Sequence, residues 1–257
     1  MRLTFLGTGS TSAPPLYGCH CSVCVAARFN LEVRRRPASV LIEAGDIRIA
    51  IDGGLMDLAD RFPQDSLAAF LLTHFHPDHV QGFFQLRWGM GVSLDVFCPP
   101  DSEGCADLYK HPGILHFRQV KKFEPFHIGS VRITPVPLIH SKVTWGYCLE
   151  HGDSRLAYLT DTAGLPPRTA EFLRDWKPTL MVLDCSYPPR LKPSDHHNDF
   201  TRAIECIQAI GPGHAWLTHI GHELDIWLNE HGDRLPPNVA VSRDGMVIHD
   251  SQTVTSE

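Results

Sequence analysis

The sequence predicts an α/β protein with two β-layers in one large domain spanning 1–257, and three observations carry that reading. At 257 residues and 43% hydrophobic content the chain can bury a core of that size. No linker is evident. Four apolar, strand-like runs each lead into a histidine or aspartate: 68–72 before His74, 131–139 before His140, 156–160 before Asp161 and 215–218 before His219. Side chains at the ends of successive strands are how a sandwich or α/β fold converges ligands on one cleft.

In chain order, 2–6 is a short strand running into Gly7-Thr8-Gly9-Ser10, a tight turn, since no third glycine opens a helix to make a phosphate cradle. Residues 38–43 and 47–51 read as a hairpin turning at Ala44-Gly45-Asp46. Asp52 closes the second strand and either supports a metal-bound histidine or caps a helix over 55–61. The buried strand 68–72 is followed by His74-Phe75-His76-Pro77-Asp78-His79. Pro77 lacks an N–H and fixes its φ, so this segment is a strand end turning into a loop. On extended backbone His74 and His76 point the same way, while Asp78 and His79 fall beyond the turn and can face a second ion.

The pattern then gives an amphipathic helix over 80–88, a strand over 94–97 and a helix over 101–109 ended by Lys110-His111-Pro112. His116 and His127 have no partner at useful spacing. The strand 131–139 carries Pro135 and Pro137, which places it at an edge or bulge. A strand pair over 145–150 and 155–160 follows, then a helix over 166–176 with proline in its first turn, and a buried strand over 179–184. A polar, proline-rich loop, 186–199, precedes a helix over 200–210. A helix over 223–230 and a terminal hairpin of 239–241 with 246–248 complete the pattern, and the polar tail 251–257 is expected to fray.

Together HFHPDH at 74–79, His140, Asp161 in Leu-Thr-Asp-Thr, and His219 after threonine resemble the binuclear metal set of the metallo-β-lactamase superfamily. The resemblance implies an αββα sandwich over nearly the whole chain, two mixed sheets flanked by helices. It also implies one ion held by His74, His76 and His140, a second by Asp78, His79 and His219, and Asp161 bridging. β-Lactamases of this fold carry a cysteine where this chain has Asp161, which points toward the phosphodiesterase branch. In that branch a histidine just before a helix gives a proton to the leaving oxygen. His197 matches, with His196 as its rival and Asp199 expected to orient it. On this reading Asp78 and His197 are the catalytic residues, and a hydroxide shared by the two ions attacks phosphorus. The ligand types fit zinc, manganese, iron or nickel; the resemblance favours manganese.

Of eight cysteines, three crowd into Cys19-His20-Cys21-Ser22-Val23-Cys24, a metal-wrapping spacing that supplies three ligands where structural zinc takes four. His222, three residues after His219, is the expected fourth, and His20 the rival. The remaining five, Cys98, Cys105, Cys148, Cys185 and Cys206, read as small buried hydrophobes. This cluster, with 74–89, 101–113 and 140–147, resembles the phosphodiesterases of the carbon-phosphorus lyase pathway of phosphonate catabolism. That resemblance implies opening of 5-phosphoribosyl 1,2-cyclic phosphate to ribose 1,5-bisphosphate.

A net charge of −6 with 23 basic residues provides no global positive field for nucleic acid and favours a small cyclic phosphodiester as substrate. Arg34 and Arg35, in the basic run Arg34-Arg35-Arg36-Pro37, and Lys142 are the candidate phosphate contacts. Two alternatives share the fold. The tRNA 3′-processing endonucleases have the same ligand set but need a basic arm that has no counterpart here. Iron-dependent oxidoreductases are the other, although flavo-diiron proteins place an acid where His76 stands. No stretch approaches eighteen apolar residues and the N-terminal apolar run is too short for a signal, so a soluble cytoplasmic protein is expected, with a homodimer left open.

Overall fold

Alternation of buried side chains decides the layering. In 40–44, Val40, Ile42 and Ala44 enter one apolar cluster while Leu41 enters another; in 156–159, Leu156 and Tyr158 go one way, Ala157 and Leu159 the other. Strands buried on both faces must sit between layers. The computed structural model describes residues 1–249; the tail 251–257 lies outside the described residues. A first sheet is built from β1 (Arg2–Gly7), β2 (Ser39–Ala44), β3 (Ile47–Ile51), β4 (Ala69–Leu71), β5 (Leu94–Cys98) and β6 (Leu115–Gln119). A second takes β7 (Phe126–Ile128), β8 (Val131–Pro137), β9 (Trp145–His151), β10 (Ser154–Leu159), β11 (Leu180–Asp184), β12 (His214–Thr218) and β13 (Val239–Val241). The last strand, β14 (Val247–His249), returns to the first sheet, so the orders are β14-β1-β2-β3-β4-β5-β6 and β13-β12-β11-β10-β9-β8-β7. Both sheets are mixed, parallel from β3 to β6 and from β10 to β13.

Helix α1 (Ser22–Phe29) contains Cys24 and is capped by Cys21. Leu58 of α2 (Leu58–Arg61), Val80 of α3 (Pro77–Val80), Phe83 of α4 (Phe83–Leu86) and Leu108 of α5 (Ala106–Lys110) cover the outer face of the first sheet. Leu173, Ile207 and Leu224, from α6 (Pro167–Trp176), α7 (Phe200–Ile210) and α8 (His222–His231), cover the second. Burying each such side chain contributes about 1.5–3 kcal/mol. The architecture is the expected αββα sandwich of the metallo-β-lactamase fold. No helix among the described residues is long and apolar enough to cross a membrane.

Several elements depart from the sequence pattern. The strands expected as a terminal hairpin join different sheets, β13 pairing with β12 and β14 with β1. The Asp244 carboxylate accepts from Thr8 Oγ1 and the Arg36 amide, drawing the connection across to the first sheet. The helix expected over 80–88 breaks at Gly82, where a Cβ would lie 1.9 Å from the Leu55 carbonyl oxygen. Over 101–109 only α5 is helical, because Asp101 Oδ1 captures the amides of Glu103 and Gly104 in a turn. Pro135 and Pro137 lie past the end of β7, which pairs only with 131–133 of β8, so their missing donors cost no ladder bond on that side.

Candidate active site

Strands from both sheets end at one cleft, and three of the turns that deliver side chains there are strained. Asp52, Asp161 and His219 follow β3, β10 and β12 closely and have φ of 67°, 61° and 60°. Non-glycine residues rarely adopt this left-handed conformation, which costs roughly 1–2 kcal/mol each. Such strain persists where surrounding structure holds it in place, commonly at functional sites.

Three imidazoles meet on one side. His76 Nδ1 lies 2.9 Å from His74 Nε2 and 3.1 Å from His140 Nε2. On the other side His79 Nε2 is 3.3 Å from both Asp78 Oδ2 and Asp161 Oδ2, and His219 Nε2 is 3.4 Å from Asp161 Oδ1 and 3.7 Å from Asp78 Oδ2. Asp161 Oδ1 also lies 3.7 Å from His140 Nε2 and 3.9 Å from His74 Nε2, so this carboxylate stands between the two groups. Among the described residues His79 Nε2 and His219 Nε2 are buried without a hydrogen-bond partner. Two orphaned ring nitrogens, three more converging on one point and a central carboxylate form a donor set consistent with a divalent-cation pair.

Each imidazole is held from behind. His74 Nδ1 lies 3.0 Å from Thr73 Oγ1, His79 Nδ1 2.8 Å from Asp52 Oδ2, His140 Nδ1 2.9 Å from the His196 carbonyl, His219 Nδ1 2.8 Å from Ser186 Oγ and His76 Nε2 3.3 Å from Ser141 Oγ. Such partners fix which nitrogen faces a metal. Asp52, for which the sequence left two roles open, supports His79 and also accepts from the Thr73 amide. It caps no helix; α2 begins only at Leu58.

The electrostatics divide along the same line. Burial pushes His140 down to about 4 and holds His74 and His76 below the usual value, keeping them in the neutral form that ligates. Burial opposes charge on His79 and His219 too, but facing carboxylates, Asp161 foremost, outweigh it and raise His79 well above 6.5 and His219 to about 9. Burial likewise works against ionised Asp161 and Asp78, yet the surrounding histidines hold both well below the usual carboxylate range. The pocket therefore draws positive charge toward Asp161 and Asp78.

His197 overlooks this cage, its ring stacked on that of His219 at 4.8 Å and edge-on to that of His140 at 4.9 Å between centroids. Its Nδ1 lies 2.8 Å from Asp184 Oδ2, not from the expected Asp199, whose carboxylate instead accepts the Arg202 amide and caps α7. His196 is exposed and contributes its carbonyl to His140. Asp184 is wholly buried; it also accepts from the Thr162 amide and from Ser186 Oγ, so one carboxylate ties His197 to the segments bearing Asp161 and His219. Asp184 and Ser186 went unread in the sequence. The available signal was an apolar strand closed by aspartate, the pattern that Asp52 and Asp161 also follow.

The cleft has a volume of about 400 Å³, with Tyr187 forming the wall beside His197. Neither Arg34 nor Arg35 is among the residues that line it. The expectation that they contact substrate is corrected: buried Arg35 forks onto Asp225 and donates to Thr8 Oγ1 and the Ser242 carbonyl, while Arg34 Nε donates to the Ala27 carbonyl. Lys142 is not among the lining residues either, although its neighbour Ser141 is; its Nζ lies 3.8 Å from Asp101 Oδ2.

Cys19, Cys21, Cys24 and His222 form a second cluster whose ligand atoms lie within 4.8 Å of one another. His222 Nε2 is 3.2 Å from Cys21 Sγ and 3.5 Å from Cys19 Sγ, whereas His20 is exposed. The Cys24 amide and His222 lower Cys21 to about 6, while burial raises Cys24 to about 11. Of the other cysteines, Cys98, Cys148 and Cys185 are buried, and Cys105 and Cys206 half-buried.

A family model described as a β-lactamase superfamily domain matches residues 48–220, a span that contains all seven cage residues. The chain belongs to the β-lactamase superfamily. The chain is similar to an octanoyltransferase of Porphyromonas gingivalis, 28% identical over 269 residues, covering 96% of this chain and 51% of that protein. The chain thus spans about half the length of that relative. Among solved structures, a diphosphatase of the PhnP family superposes with a TM-score of 0.81 at 24% identity, covering 100% of this chain and 99% of that one. Zinc-bound PqqB from Methylobacterium extorquens superposes with a TM-score of 0.77 at 17% identity, covering 97% and 100%.

Proposed function

We propose that this superfamily member is a binuclear-metal phosphodiesterase that opens 5-phosphoribosyl 1,2-cyclic phosphate to ribose 1,5-bisphosphate. The observation that carries the reading is His197, held by Asp184 at the rim of a seven-ligand cage. The end-to-end likeness to a PhnP-family diphosphatase supports phosphate chemistry over the other reactions of the fold. His74, His76 and His140 would hold one ion, Asp78, His79 and His219 the other, with Asp161 between them, manganese being our choice there and zinc at the cysteines. Divalent ions in that cage supply Lewis acidity, activating water and drawing charge from phosphate oxygens.

The chain's own residues perform the rest. With Nδ1 bonded to Asp184, His197 has Nε2 free to face the leaving oxygen. As the water oxygen bonds phosphorus and the bond to the sugar O2 breaks, Nε2 passes its proton to that alkoxide. Lys142, next in the chain to the cleft-lining Ser141, would add positive charge toward the diester.

The test compares ribosyl cyclic phosphate, a 2′,3′-cyclic nucleotide, a lactone and an octanoyl thioester as substrates for the manganese-loaded protein. The cyclic phosphates are expected to turn over and the two acyl compounds not; the reverse overturns the reading. His197→Ala and Asp184→Asn should retain their metals and lose roughly 10²-fold or more on alkoxide leaving groups, but much less on nitrophenolate, which departs unprotonated. Equal losses on both would remove the acid role.

A further inference from the structure

The correction at Arg34 and Arg35 leaves a phosphorylated sugar without its expected arginine, and Arg190, itself not among the residues lining the cleft, packs on the cleft-lining Tyr187. Arg190 lies in the loop between β11 and α7. Its guanidinium carbon is 3.6 Å from the centroid of the Tyr187 ring. That ring forms the cleft wall, 6.3 Å from the ring of His197. Arg190 Nη2 also pairs with Glu223, at the start of α8. Stacking below and an ion pair at one end fix the guanidinium plane although the residue is exposed. Among the described residues Glu223 is its one hydrogen-bond acceptor, so the remaining N–H donors are free to form a fork beside Tyr187.

We infer that Arg190 is a specificity-determining residue that binds a second phosphate on the substrate, selecting cyclic phosphodiesters whose sugar also carries a phosphomonoester. This rests on the phosphodiesterase reading above. If His197 serves the leaving oxygen, the sugar bearing that oxygen lies along Tyr187. A phosphomonoester at the sugar's far carbon then extends past the ring toward Arg190. Forked guanidinium contacts suit a terminal phosphate dianion, which offers several acceptor oxygens. Glu223 balances the charge when the cleft is empty and competes with the phosphate for the same donors.

The test measures kcat/KM for ribosyl 1,2-cyclic phosphate with and without a 5-phosphate, using the full metal-loaded protein. Wild type should prefer the 5-phosphorylated compound. Arg190→Ala should reduce that preference at least tenfold, chiefly through KM, and Arg190→Lys should restore part of it. Glu223→Gln, which frees the guanidinium, should lower KM for the 5-phosphorylated compound severalfold. An unchanged preference in Arg190→Ala, or equal losses on both compounds, overturns the inference while leaving the phosphodiesterase reading intact. If wild type opens neither compound, that reading falls and the inference falls with it.

Discussion

The cage and the cysteine cluster are built in opposite ways. The cage gathers its ligands from four separate parts of the chain, and fixed acceptors hold each imidazole from behind. Three of the cluster's four ligands come from one short stretch, Cys19 to Cys24, around the start of α1, half-exposed except for Cys24. His222 brings the fourth ligand atom to that stretch from a distant part of the chain. The difference teaches that cage geometry belongs to the sandwich, while the cluster would rely on a bound ion to hold its shape. The two meet at 219–222, where the backbone is clamped by bonds from the Ile220 amide to the Thr8 carbonyl and from the His222 amide to the Ser12 carbonyl.

The sharpest way to break the comparison is Asp161→Ala. Loss of the shared carboxylate should abolish cage binding and lower hydrolysis by about 10³-fold or more, beyond the 10–100-fold typical of outer partners. Metal analysis should still find zinc at the cysteines; loss of that zinc as well would show that the clusters are not independent. Cys21→Ser acts on the other side and should have a smaller effect. It should release the cluster zinc and lower the melting temperature by several degrees, a stability loss of a few kcal/mol from one bound ion. Manganese should still fill the cage, with affinity weakened through His219. A melting temperature equal to wild type would mean that the cluster holds nothing in place.

The smallest effect is a pH dependence confined to chelated protein. Protonated His79 and His219 stabilise the metal-free fold because their pKa values lie above the unfolded value, His219 at about 9 against roughly 6.5. That contribution is fully present below about pH 6.5 and is lost as pH rises through about 9. His74, His76 and His140 have lowered values and act in the opposite sense, destabilising the fold as pH falls below about 6.5. Metal-loaded protein carries its positive charge at every pH in this range. The gap in melting temperature between loaded and chelated protein should therefore widen from pH 6.5 to 9, and a constant gap would contradict the electrostatic division of the cage.

Legibility in the sequence followed chain proximity. HFHPDH was readable because four ligands fall in six residues, and His140, Asp161 and His219 because each follows an apolar run. Partners that meet ligands only through space left no such mark: Asp184 looks like an ordinary strand end, and Ser186 like a loop residue, until the register sets β11 beside β12. Proximity also misled. Asp199, two residues from His197, is committed to the first turn of α7, while Asp184, thirteen residues earlier, reaches the imidazole. Arg35 sits in a conspicuous basic run and is nevertheless buried against Asp225, a pairing of residues 190 positions apart.

Electron paramagnetic resonance during manganese titration of chelated protein tests most directly whether the cage holds two neighbouring ions. A bridging Asp161 predicts a spin-coupled manganese pair that fills the cage and disappears in Asp161→Ala. An isolated six-line manganese signal at every metal ratio, or no bound manganese, would contradict the binuclear cage and the chemistry assigned to it.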